Sequence, residues 1–360
     1  MVTVALVYPH IDGTDGYALD FARLRQELES TPIDVLTVKY SSSNGGIGAR
    51  LGLLNGLKHS HGEIDVIHFV GFFFPEYLLA AHSATADGIP YVISPLSNLQ
   101  RHALERSRRK KRVFLMLGGA RFLRRANAVH SFGSSETESI LDLGFRGDIF
   151  EIPLGLDLES RDSASLEGQD SGELPNLNAA KDYVLFFGRL DVFQKGLDLL
   201  LEGFEIYCKN NPSGLRLVIA GRSWNGSDQW LRSRIATMAC ADRIAYAGET
   251  SDQTKFDLMQ NARALIYPSR FDGPPRPLRD AIASGVFVLA SRQSNIYPDL
   301  ERHGLGFFFD ANRVGVAGAI KAVTGEVSPP VSGLGRSLLN WKATAAQYAD
   351  MYRSMVNYRA

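Results

Sequence analysis

The sequence is short of the features that would place it in several large classes. Its 360 residues include two cysteines, Cys208 and Cys240, and no C-x-x-C spacing. That excludes a disulfide framework and a thiolate metal site, and points to a reducing compartment. No apolar run nears the ~20 residues of a membrane-spanning helix. Met1 leads directly into VTVALVY, with no basic stretch or small-residue cleavage site. These absences predict a cytoplasmic chain, peripheral at the inner face of a membrane at most. An excess of one charge is also missing: Lys+Arg and Asp+Glu number 39 each, so no overall field draws the chain to nucleic acid. Anion binding must come from local clusters. The first strand exit, PHIDGTDGYALDF, supplies Gly13 and Gly16 before a helix but fails G-x-G-x-x-G, which removes the nicotinamide fingerprint.

What the sequence does have is alternation. With 45% hydrophobic and 22% charged residues, it can fill about two domains of ~150 residues each. Strand-like runs fall at 2–8, 33–38, 65–70, 90–94, 128–133 and 148–153, with helical patterns around 17–29, 76–87 and 135–143. Residues 158–181 are polar, acidic and rich in Ser and Gly, and read as a linker or surface loop. A second series follows, with strands at 182–188, 215–221, 244–248, 264–269 and 286–291 and helices at 196–209, 227–240, 252–262 and 277–284. The pattern predicts two α/β domains, 1–157 and 182–335, whose ligands sit beyond the carboxyl ends of the strands. A last segment, 336–360, starts its helix near the N-cap Asn340. It places Trp341, Tyr348, Tyr352 and Met355 on one apolar face that packs back onto the protein.

Two stretches carry chemistry. In FFGRLDVFQKGLDLLLEGF (186–204), Arg189 and Lys195 flank one strand-to-helix connection. A guanidinium fork and an ammonium beside a helix N-terminus suit a diphosphate, the alternative being solvated loop charges. In SRFDGPPRPLRDAIASG (269–285), Pro277 is placed to open a helix and Gly285 to end it. Asp272 then lies in a loop and Asp280 near the helix start, both directed at one strand-exit crevice. A turn aspartate plus a helix-start acid is the competing structural reading.

GRLDVFQKGLD, AG at 220–221, the Gly248 strand end and PSRFDG…LRDAIASGVFVLAS together resemble the retaining glycosyltransferases of family 4, also called group 1. DVIHF, GIPYVIS, ANAVHSFGSSETE and PLGLD follow that family's running order in the first half. The resemblance implies a GT-B fold, two Rossmann-like domains facing each other across a cleft. It also implies hexosyl transfer with retained configuration from a nucleotide-diphosphate sugar to a glycan or lipid-linked acceptor, as in polysaccharide biosynthesis. It gives Arg189 and Lys195 the diphosphate, Asp272 the donor sugar and Asp280 the ribose. Gly188, Gly248 and Gly273 join the donor site, and catalysis falls to Arg189, Lys195 and Asp272. No cofactor is expected, nor a metal, since no D-x-D occurs in the chain.

The chain departs from the family in ways that define expectations. Both motif glutamates are aspartates, one methylene shorter. Pro274 and Pro275 stand where backbone amides usually meet the donor, and proline has no N–H to give. Arg276, or Arg279 beside it, is the expected replacement. Ser94-Pro95-Leu96-Ser97 lacks the turn His or Arg of many relatives, and Arg101 or His102 is its candidate substitute. The acceptor side is assigned Gly13, Gly16, His68, Arg101 and His102, with a core histidine as the other reading of His68. The basic run RHALERSRRKKR (101–112) reads as a solvated face or as a patch for an anionic membrane or carrier. Two rival functions share these residues: a sugar epimerase of the same fold and a non-catalytic nucleotide-sugar-binding protein.

Overall fold

The structure, a computed structural model, describes residues 1–10, 16–41, 57, 64–155, 182–273, 275–294, 301, 304–325 and 340–359. The expected linker at 158–181, Gly13 and Pro274 lie outside these residues. The chain forms two compact units, one of residues 1–155 with 339–360 and one of 156–338.

The first unit is built on a parallel sheet of β1 (Val2–His10), β2 (Ile33–Ser41), β3 (Val66–Val70), β4 (Tyr91–Ser94), β5 (Ala128–Ser131) and β6 (Asp148–Glu151). Its strand order is β2-β1-β3-β4-β5-β6. Successive side chains on a strand face opposite ways, and here both faces are dry. Ala5, Val7, Ile67 and Phe69 enter one core with Tyr77 and Phe122. Val4, Leu6, Val66 and Val70 enter another with Phe21, Leu24 and the last helix, Trp341–Val356. Continuous apolar runs are what a parallel sheet covered on both faces requires.

That last helix starts as the sequence predicts: the Asn340 side chain accepts from the Lys342 N–H (2.8 Å) and the Ala343 N–H (3.3 Å). Trp341, Tyr348, Tyr352 and Met355 are all buried, each burial worth ~1.5–3 kcal/mol. Gly155 makes room for the indole, since a Cβ there would lie 2.5 Å from Trp341 ring atoms. The Thr344 hydroxyl donates to the Pro153 carbonyl at 3.0 Å.

The second unit holds β7 (Tyr183–Phe187), β8 (Arg216–Ala220), β9 (Ile244–Gly248), β10 (Ala264–Tyr267), β11 (Val288–Ser291) and β12 (Gly306–Phe309). They pair in the order β12-β11-β10-β7-β8-β9. β12 and the helix Arg313–Ala322 complete the unit and are absent from the sequence reading. That helix packs on the helix Leu197–Asn210, where a Cβ on Gly203 would come within 2.5 Å of Val316. Chain direction of growth reverses between β7 and β10, the topological switch point where open α/β sheets hold ligands.

Candidate active site

Three strands end in glycines with positive φ at the carboxyl edge of the second sheet: Gly188 (149°), Gly221 (137°) and Gly248 (74°). They stack backbone on backbone. The Gly188 N–H donates to the Ala220 carbonyl (3.1 Å) and the Gly221 N–H to the Gly248 carbonyl (2.7 Å). A Cβ on Gly221 would sit 1.9 Å from the Gly188 carbonyl oxygen. Only glycine allows this approach together with this φ.

Two loops emerge on either side of the switch point, Gly188–Gly196 after β7 and Pro268–Gly273 after β10. The Gln194 carbonyl stitches them, accepting from the Arg270 N–H (2.9 Å) and the Ser269 hydroxyl (2.8 Å). Gly196, at φ 68°, passes so near the Pro268 carbonyl that a Cβ would lie 2.1 Å from its oxygen. This explains the glycine of the K-G pair. Arg270 adds a bidentate bridge to Asp198, at 2.8 and 2.6 Å.

The stitching brings Lys195 against Asp272, 77 residues apart in sequence, in a direct ion pair. Both are buried, at 8% and 6% exposure. The Tyr267 hydroxyl donates to the same carboxylate oxygen at 3.1 Å, and the Lys195 ammonium lies 5.1 Å from the Tyr267 ring centroid. Burying two charges is costly unless they are paired and hydrogen-bonded, which these are. Arg189 is more open. Its guanidinium donates to the Gln194 side chain at 2.7 Å and lies 4.5 Å from the Trp224 ring centroid, which holds a planar fork at the edge of the site.

The two aspartates do not converge on one partner. Asp280 pairs with Lys255 of the helix Asp252–Asn261, at 3.2 Å. It is the fifth residue of its helix, which begins at Arg276, one residue before the predicted start, with Pro275 at the cap. Gly285 ends that helix in the left-handed region at φ 70°, as expected. Arg276 is half-buried and Arg279 is buried on the same helix, and Gly273 is buried beside Asp272. Among the described residues, no group of three His, Cys, Asp or Glu is arranged to hold a metal ion.

The first unit places its candidates differently. His68 has 0% exposure, and both ring nitrogens are engaged, Nδ1 with the Tyr352 hydroxyl and Nε2 with the Ser94 hydroxyl, each at 2.7 Å. Ser94 also reaches His130 Nδ1 at 2.7 Å, and His130 Nε2 reaches the Ile152 carbonyl at 2.9 Å. Burial holds the His68 pKa well below the ordinary histidine value and pushes that of His130 down to about 4. Both are therefore neutral core groups. The structure corrects the acceptor-side assignment of His68 in favour of its core reading. Gly16 opens the helix Gly16–Leu28, Arg101 is exposed, and His102 pairs with Glu105 at 3.2 Å.

Sequence reasoning missed His130 and Glu136. Glu136 is fully buried, and its two oxygens accept the Ser97 N–H (2.5 Å) and the Phe132 N–H (3.1 Å). It thereby holds the β4 exit, where Leu96 and Ser97 both have positive φ (56° and 62°). Burial raises its pKa to about 7. The S-S-E-T run after a strand end is the signal that would have found it.

Comparison with known proteins finds likenesses in sequence and in fold. Residues 173–323 match the family "Glycosyl transferases group 1". A GDP-mannose:cellobiosyl-diphosphopolyprenol α-mannosyltransferase of Xanthomonas campestris is 23% identical over 385 aligned positions, covering 96% of this chain and 94% of that one. A mannosylfructose-phosphate synthase of Agrobacterium fabrum is 25% identical over 176 residues, and the match covers 46% of this chain and 38% of that relative. Among solved structures, a sucrose-phosphate synthase from Thermosynechococcus elongatus superposes with a TM-score of 0.70 at 15% identity, covering 98% of this chain and 99% of that one. Anabaena HepE, solved with UDP and glucose, gives 0.67 at 16% identity, covering 98% and 100%. These likenesses establish the GT-B fold class. The likeness to the group 1 glycosyltransferases is carried by residues 173–323, which lie within the second unit.

Proposed function

We propose that the protein moves a hexosyl group from a nucleotide-diphosphate sugar to a glycan or lipid-linked glycan, with retained anomeric configuration and without a metal ion. The observation that carries this is the Lys195–Asp272 pair, set with Arg189 at the β7/β10 switch point. In the reaction the bond from the anomeric carbon to the diphosphate oxygen breaks. A bond to the acceptor oxygen forms on the same face, and the acceptor proton passes to the departing diphosphate. The negative charge that develops there meets the Arg189 fork and the Lys195 ammonium, cations held beside the switch point. Asp272, aimed by Tyr267, accepts from hydroxyls of the donor sugar. Asp280 takes the ribose, and Arg276 replaces the amides that the prolines remove. Gly188, Gly248 and Gly273 let the donor approach the backbone.

The acceptor is assigned to the first unit. The Xanthomonas relative's name places its acceptor sugar on a polyprenyl diphosphate, and this supports a lipid-linked acceptor here. The basic run at 101–112 supplies a surface for such an anionic carrier or its membrane.

A thermal-shift panel of nucleoside diphosphates and nucleotide sugars tests the reading. At least one nucleotide is expected to raise the melting temperature of the wild type and to lose that effect with Lys195→Ala. No stabilisation by any nucleotide would overturn the donor assignment. Once turnover is in hand, EDTA should leave the rate unchanged; a rate restored only by added divalent ions would refute metal independence.

A further inference from the structure

Residues 101–125 hold ten cationic side chains and one acid, Glu105, in a chain whose totals balance at 39 each. Within this segment the helix Arg108–Phe114 continues into a widened turn, Leu115–Gly119. Phe114 meets Phe72 and Phe73 edge-on, with centroids 5.9 and 5.3 Å apart, and packs with Leu115 against the first unit's core. A Cβ on Gly119 would lie 2.5 Å from the Phe114 ring, so the turn closes tightly over that anchor. Gly118, at φ 144°, ends regular helix geometry there.

This inward anchoring fixes what faces out. Val113, Met116 and Leu117 follow the i, i+3, i+4 spacing of one helix face and are 53%, 79% and 77% exposed. After Met1, Met116 and Leu117 are the most exposed large apolar side chains described. Arg109 precedes Val113 by four residues and Arg112 precedes Met116 by four. Arg108, Arg109, Lys110 and Arg112 are all exposed. Lys111 instead turns inward, donating to the Ala103 carbonyl at 2.6 Å.

We infer that Val113, Met116 and Leu117 form an apolar ridge that inserts at headgroup depth into an anionic bilayer, with Arg108, Arg109, Lys110 and Arg112 against the lipid phosphates. The inference does not rest on the donor chemistry. Apolar tips ringed by cations are the composition of an interfacial lipid-binding helix. A protein interface draws its core from apolar residues and excludes charge from it. A nucleic acid would engage the cations and leave Met116 and Leu117 unused. No helix among the described residues is long and apolar enough to cross a membrane, so the contact is with one surface only.

The test is sedimentation of the full chain with phosphatidylcholine vesicles, with and without phosphatidylglycerol. Binding is expected only with the anionic lipid and should weaken as salt rises. Met116→Asp/Leu117→Asp should lower the partition coefficient at least tenfold without moving the melting temperature, since both side chains are exposed. Removing Arg108, Arg109, Lys110 and Arg112 together should do the same. Equal or absent binding with both vesicle types overturns the inference, as does wild-type binding by the double aspartate variant. An oligomer lost in that variant, with no vesicle binding in the wild type, would assign the ridge to a second copy of the chain. Oligonucleotide binding unaffected by the aspartates, again without vesicle binding, would assign the cations to nucleic acid.

Discussion

In the first unit, His68, Ser94, His130, Tyr348 and Tyr352 form a chain of hydrogen bonds under the last helix; in the second, Lys195, Asp272 and Tyr267 form one beyond the strand ends. Both clusters are buried and both unite residues distant in sequence. They differ in charge and in place. The first is neutral, lies within the sheet and is roofed by aromatic rings, so it satisfies polar atoms inside a core. The second keeps a formal ion pair at a switch point, where nothing in the sheet requires charge. A buried histidine is thus a poor guide to function unless its position along the strand is known.

The largest effect expected at the second cluster is from Lys195→Ala. Turnover should fall by ~100-fold or more if the ammonium meets the leaving diphosphate, with the unliganded melting temperature recorded to separate lost folding. A drop explained wholly by stability would make the pair structural, like its counterpart.

The glycine stack sharpens the contrast next. Gly221→Ala places a Cβ on a carbonyl oxygen and should cost about 3 kcal/mol. Gly248→Ala meets nothing within 4 Å and should cost only ~1 kcal/mol for its positive φ. Equal urea midpoints for the two variants would show that backbone contact is not what selects glycine there.

The neutral cluster should show itself in pH. Between pH 6.5 and about 4 the unfolded chain protonates His130 and the folded one does not. Stability is therefore lost as pH falls, by about 3 kcal/mol over that window, and His68 acts in the same direction. Glu136 opposes it: its folded pKa of about 7 exceeds the unfolded 4.5, so its contribution is lost as pH rises between those values. Glu136→Gln should steepen the rise in urea midpoint from pH 4.5 to 6.5, and an unchanged slope would remove Glu136 from the titration.

The smallest effect concerns Arg276→Ala, expected to weaken nucleotide binding by up to about tenfold, the scale of one charge-assisted hydrogen bond. Unchanged affinity by calorimetry would take Arg276 out of the site.

The alternation of strands and helices was legible because parallel strands covered on both faces must be continuously apolar. β12 (Gly306–Phe309) escaped the reading although it is no shorter than β10 and β11, which did not. Arg189, Lys195, Asp272 and Asp280 were legible as candidates through spacing. Their partners were not: Lys195 meets Asp272 because Gly196 and Gln194 dock onto the next loop, and Asp280 takes Lys255 instead. Side-chain pairing across 77 residues leaves no local trace. His130 was hidden for the same reason, since its partners are Ser94 on β4, the Ile152 carbonyl just after β6 and Tyr348 on the last helix.

The last helix also sets an order of events. Its aromatic face covers a sheet whose strands are all complete by Glu151, yet it is synthesised only after the whole second unit. At ~5–20 residues per second, the first unit's sheet must wait roughly 10–40 s with one face bare, while the second unit can already close. For this chain the unit made first is finished last, and the exposed apolar face is the one a chaperone would have to guard.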